Sequence, residues 1–208
     1  TRLWGAWGRA GPQSIACWAP PAAARPEFTP PEGYWAREAG IGQTGPWQRS
    51  EDNFRIGAEI AFNGLLGKLT RVEAGLPAGH NDFAKTGDKT QITEPPAHLD
   101  YEMWIGPATM EPYIEARVHK NWRWNYNIGG GQLLDWIGHH CDIAHWGMGM
   151  DGSGPYEVKP IQVDMPPRDA VWNTATKDRT EALYAGDITM VIAGGHNDIK
   201  SGTKWIGE

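Results

Sequence analysis

The stretch Gly129-Gly-Gly-Gln-Leu-Leu-Asp-Trp-Ile-Gly-His-His-Cys-Asp-Ile-Ala-His-Trp146 decides the fold. Three glycines leave the backbone free to turn, and a helical pattern follows from about Gln132. At roughly 100° per residue, Asp135, His139, Asp142 and Trp146 share one helical face, while Leu134 and Ile137 point elsewhere. A carboxylate four residues before an imidazole can orient the ring and stabilise its protonated form. That suits a histidine that moves protons near neutral pH. The plainer reading is a core helix with a capping aspartate and a satisfied histidine. The density of His139, His140 and His145 around Asp135 and Asp142 favours chemistry over packing.

Outward from this helix lie Asn121-Trp-Arg-Trp124 on one side and Asp142-Ile-Ala-His-Trp-Gly-Met-Gly-Met-Asp151 on the other. Together with Gly129-Gly-Gly-Gln-Leu-Leu-Asp-Trp-Ile-Gly-His-His140, these runs resemble the substrate domain of the Gfo/Idh/MocA oxidoreductases. Those are NAD(P)-dependent sugar and polyol dehydrogenases, and the resemblance runs from about Gln43 to Glu208. It implies that Asp135 and His139 match the family's catalytic Asp and His. In the family that pair works with a lysine to take a hydroxyl proton while hydride leaves for the nicotinamide. The resemblance also sets Trp122, Arg123 and Trp124 close to the substrate, with His140 beside the catalytic histidine. Arg123 would bind a hydroxyl-rich or anionic group, and Trp122 or Trp124 would stack on it. The alternative is that both tryptophans are core and Arg123 pairs with an acid.

The first forty residues have a different character. Residues 1–40 are dense in Trp, Ala, Arg, Pro and Gly, and Pro12, Pro20, Pro21, Pro26, Pro30 and Pro31 break most helices and central strands. They read as an irregular N-terminal arm, and residues 41–208 as one domain. Gly40-Ile-Gly-Gln-Thr-Gly45 satisfies the letters of the dinucleotide fingerprint. That fingerprint works only where a strand leads into the glycines and a helix starts at once. No strand pattern precedes it here and Pro46 delays the helix, so no NAD(P) is expected.

Ser50 is the expected N-cap of a helix through Phe54, Ala58, Ala61 and Leu65, with Asn63-Gly64 ending it near Gly67. Residues 68–76 alternate as a strand, 77–99 read as a loop, and 101–123 as irregular chain that feeds aromatics toward the site. Beyond the site helix, residues 158–165, 170–175, 181–185 and 188–193 read as short strands, with Ala185-Gly186-Asp187 turning a hairpin. Ile188, Met190 and Ile192 give the last of these one apolar face. The economical architecture is α+β, a mostly antiparallel sheet with helices packed on one face. Gly-His-Asn-Asp occurs at 79–82 and again at 195–198, each after a strand, and reads as a pair of turns at one edge of the sheet.

The net charge of −6 argues against nucleic acid as a partner. No apolar run is long enough for a membrane span, and the N-terminus lacks the apolar core of a signal peptide. Cys17 and Cys141 build neither a disulfide framework nor a zinc spacing, so a reduced, cytoplasmic setting is the default. The 12 tryptophans suit the apolar faces of sugar rings. The family's Glu-Lys-Pro lysine has no counterpart, since Glu157-Val-Lys-Pro160 falls after the Asp–His helix. The expectation is a sugar- or polyol-pocket domain, partial relative to the family and without its own dinucleotide-binding domain. One alternative is a non-redox hydrolase that opens lactones through Asp135 and His139. A divalent metal on Asp135, His139 and Asp142 is an option there, calcium or magnesium rather than zinc. Another is a structural module that only oligomerises. The partners expected are a small sugar or lactone, and a second copy docked through the open sheet face.

Overall fold

Glu51 is extended and Asp52 brings a carboxylate to a first helical turn, where the helix dipole favours it. The first helix among the described residues, α1, accordingly spans Asp52–Phe62 in the computed structural model, which describes residues 47–208. The arm at 1–40 and the glycine run at 40–45 lie outside the described residues. Ser50 does not cap α1. It closes a 3-10 turn over Gln48–Ser50, and Glu51 takes the capping position without a side-chain hydrogen bond. Ala58 and Ala61 are buried as the period requires. The helix ends earlier than expected because Gly64 turns to a left-handed φ of 72°, while the side-chain amide of Asn63 caps the Glu59 carbonyl (2.7 Å). Leu65, past that end, is 74% exposed.

The sheet has five strands in the order β2-β3-β4-β1-β5: β1 Leu69–Leu76, β2 Glu157–Asp164, β3 Lys177–Tyr184, β4 Ile188–Gly194 and β5 Gly202–Gly207. Only β1 and β4 run parallel, with Leu76 opposite Gly194; the other ladders are antiparallel. The hairpin between β3 and β4 turns on positive φ at Gly186 (79°) and Asp187 (63°). The long helix α3, Gly131–Met148, lies across one face. Its Cys141 and Ala144 form one core with Val72, Ala74, Leu76, Ala182, Tyr184, Met190 and Ile192. This is the α+β architecture read from the pattern.

Two expectations change. Residues 170–175 are not a strand, because their backbone is satisfied by the segment before α3. Arg117 Nε donates to the Val171 carbonyl (2.8 Å), and the N–H groups of Asn173 and Thr174 donate to Trp124 (2.8 and 3.2 Å). β5 is an unforeseen strand that pairs with β1. The apolar face of Ile188, Met190 and Ile192 turns inward under α3. The opposite face near β1 and β5 carries Glu73 between Arg71 (3.0 Å) and Lys204 (3.4 Å).

The segment over 101–124 holds a short helix, α2, Tyr101–Ile105, capped by Asp100, and 3-10 turns at Glu115–Arg117 and His119–Trp124. Buried Asn121 ties it to the long loop before it: its Oδ1 accepts from the N–H groups of Phe83 (3.0 Å) and Ala84 (3.3 Å), and its amide donates to Asp82 (2.7 Å). Among the described residues no helix is long and apolar enough to cross a membrane.

Candidate functional site

Close approach explains the glycines before α3. A Cβ on Gly129 would lie 2.7 Å from the Arg123 carbonyl oxygen, and one on Gly131 2.7 Å from the Thr174 hydroxyl. Gly131 also has φ of 66°. The chain is thereby pressed against Trp122 and Arg123, and a small concavity forms between Trp122, Arg123, Gly130, Gly131, Leu134 and Asp135. Its free space of about 10 Å³ is that of a single water.

Asp135, His139 and Asp142 do share one face of α3, and each is engaged by a different residue. Asp135 pairs with Arg123 Nε at 3.2 Å, and the guanidinium lies 5.0 Å from the Trp122 ring centre and donates to the Lys120 carbonyl (3.1 Å). His139 meets the side-chain amide oxygen of Gln48 through Nδ1, with the Trp47 and Trp136 rings 6.5 and 5.3 Å away. Asp142 takes a two-pronged contact from Arg49 (2.6 and 2.8 Å), and the same guanidinium reaches both oxygens of Asp151 (3.0 and 2.8 Å). Burial opposes the charge on Arg49, but its hydrogen bonds to Asp151 and Asp142 outweigh that and raise its pKa. Arg49 also lies over Trp146, 5.3 Å from the ring centre. Among the described residues no group of three His, Cys, Asp or Glu side chains is placed to hold a metal ion.

Two of the residues expected to bind substrate are buried. Trp124 is fully buried, donates to the Asn81 carbonyl (2.8 Å), and has His80 and Phe83 stacked on its ring at 5.4 and 5.8 Å. It is core, while Trp122 stays half-buried beside Arg123. His140 is 4% exposed and packs between Phe54 and Trp136. Burial, aided by the neighbouring His139, pushes its pKa down to about 4. The two Gly-His-Asn-Asp turns do sit at one end of the sheet, because they follow the parallel strands β1 and β4. There His80 Nε2 bonds the carbonyl and the hydroxyl of Thr174 (3.0 Å each), and His196 lies near Asp178 and Asp198. Gln48 and Arg49 were not legible as site residues; their partners stand 91 and 93 positions away, with no local period to connect them.

No curated protein sequence matches the chain. Among solved structures it is similar to the WlbA dehydrogenase from Bordetella pertussis in complex with NADH and UDP-GlcNAcA. That likeness has 10% identity and a TM-score of 0.48, over 83% of this chain and 42% of that one. It is also similar to the aldose-aldose oxidoreductase from Caulobacter crescentus complexed with glycerol, at 15% identity and a TM-score of 0.46, over 82% of this chain and 40% of that one. The chain thus spans about two fifths of the length of these structures. A family model described as the oxidoreductase family, C-terminal alpha/beta domain, matches residues 56–206. The chain belongs to the Gfo/Idh/MocA oxidoreductase family, within its C-terminal alpha/beta domain.

Proposed function

We propose that this domain is the sugar- or polyol-facing half of a dehydrogenase site, with His139 handling a hydroxyl proton and Asp135 binding hydroxyls beside it. The observation that carries the reading is the half-exposed helical face on which Asp135 and His139 stand one turn apart, with Arg123 and Trp122 folded over the first. Arg123 lines the concavity beside Asp135, and its free space of about 10 Å³ does not admit a sugar ring. Once it swings off Asp135, its guanidinium and the freed carboxylate offer donors and acceptors to neighbouring hydroxyls, and Trp122 offers an apolar face. The family implies a nicotinamide as hydride acceptor. The described residues do not fit its diphosphate: the glycines at 129–131 follow a 3-10 turn, whereas the dinucleotide motif requires a strand before them. No hydride step is assigned to these residues, and the chain as it stands is proposed to bind sugar without nicotinamide. No observation favours a lactone hydrolase, because arginines hold both Asp135 and Asp142.

Thermal-shift and calorimetric titration against a panel of aldoses, polyols, sugar lactones and NAD(H) tests this. A sugar or polyol should stabilise the protein, and Asp135→Asn should weaken that binding by about tenfold or more, the loss of one charge-assisted hydrogen bond. Turnover of a lactone, or NAD(H) binding without sugar binding, would overturn the reading.

A further inference from the structure

We infer that Gln48 fixes the tautomer of His139 and so makes Nε2 the ring atom that accepts a proton, an inference that rests on the proton-handling role just given to His139. Gln48 is 5% exposed, and a buried amide is costly unless its polar atoms find partners. Its carbonyl oxygen faces Nδ1 of His139. An amide oxygen only accepts, so the neutral imidazole must carry its proton on Nδ1 and leave the lone pair on Nε2. When the ring takes up a second proton both nitrogens become donors, and the Gln48 contact survives unchanged. The same partner therefore serves the ring before and after proton transfer.

The placement of Gln48 is built in on both sides. Arg49 is held by four hydrogen bonds to the carboxylates of Asp142 and Asp151, at 2.6 to 3.0 Å, so the strap cannot drift along α3. On the other side Trp47 is held at φ 46°, a left-handed conformation that a bulky residue adopts only where the surroundings impose it. Its indole N–H donates to Glu51 (2.9 Å), and its ring stands edge-on to His139. Asp135 does not compete for the imidazole, since Arg123 holds it. The carboxylate named from the sequence is on the right face, but a neutral amide from a distant strap orients the ring.

Nitrogen-15 NMR of the histidine-labelled 208-residue chain, with His139→Asn to identify the signals, reads the tautomer directly and needs no ligand. The wild type should show a protonated Nδ1 and a bare Nε2 on His139. Gln48→Met, similar in length but without the amide acceptor, should raise the Nε2–H form several-fold, and Gln48→Glu should restore Nδ1–H. The His140 signals, unchanged in both variants, certify that α3 is still packed. A dominant Nε2–H form in the wild type, or an unchanged ratio in folded Gln48→Met, would overturn the inference. Failure to bind any sugar would count against the proposed function and leave this result standing.

Discussion

His139 and His140 are adjacent on one helix, yet about 100° of rotation separates two environments. His139 is half-exposed, with Nδ1 on Gln48 and two indoles beside it. His140 is buried between Phe54 and Trp136, with neither ring nitrogen partnered among the described residues, while its backbone carbonyl accepts from Thr203 (2.7 Å). The first ring is held by a polar partner at a partly open face, and the second is packed as an apolar plate. The contrast shows that a cluster of histidines in sequence is not one constellation. Each ring takes its chemistry from the layer it turns toward.

That contrast can be broken from the inside first. Ile143 is fully buried on α3, so Ile143→Ala should remove about 2–5 kcal/mol of stability in urea unfolding. A loss below about 1 kcal/mol would mean that burial of this helix is not what holds the domain together. The next effect is acid sensitivity. His140 titrates near 4 when folded, against about 6.5 when free, so the unfolded chain takes the proton first. Stability from this group is complete above pH ~6.5 and declines as pH falls toward 4, by about 3 kcal/mol in all. His140→Leu should flatten that part of the profile, and an identical profile in the variant would place the acid response elsewhere. Smallest is the outer face: Arg49→Ala should cost about 1 kcal/mol in thermal unfolding, and less at high salt, as partly exposed ion pairs do. A loss as large as that of Ile143→Ala would make the strap a structural brace and blur the distinction between the two faces.

Local pattern carried the parts of this fold that local physics decides. The alternation of Val72, Ala74 and Leu76, and of Ile188, Met190 and Ile192, marks the inward faces of the central strands. The four-residue step from Asp135 to His139 puts both on one side of α3 whatever surrounds them. What the pattern did not carry depends on where distant segments land. Trp124 and Trp122 are two residues apart on a 3-10 turn, and only the arrival of the 77–99 loop makes the first core. Residues 170–175 have strand-like composition, but Trp124 and Arg117 take up their hydrogen bonds. β5 was obscured by its brevity and by the glycines at both ends; its Trp205 packs onto α3 and donates to the Ala144 carbonyl (3.3 Å).

The place of β1 between β4 and β5 also sets a schedule. Both of its neighbours lie about a hundred residues or more downstream, so every ladder it makes closes a long loop, and such topologies fold slowly. At synthesis rates of roughly 5–20 residues per second, β1 waits on the order of ten seconds for β4 to be made. During that interval α3, which is made before β4, can cover the apolar face of Val72, Ala74 and Leu76, but both edges of the strand stay bare and invite pairing with other chains. The charged trio of Arg71, Glu73 and Lys204 supplies two of its members on that waiting strand, and charges there discourage the wrong partner until the right one emerges.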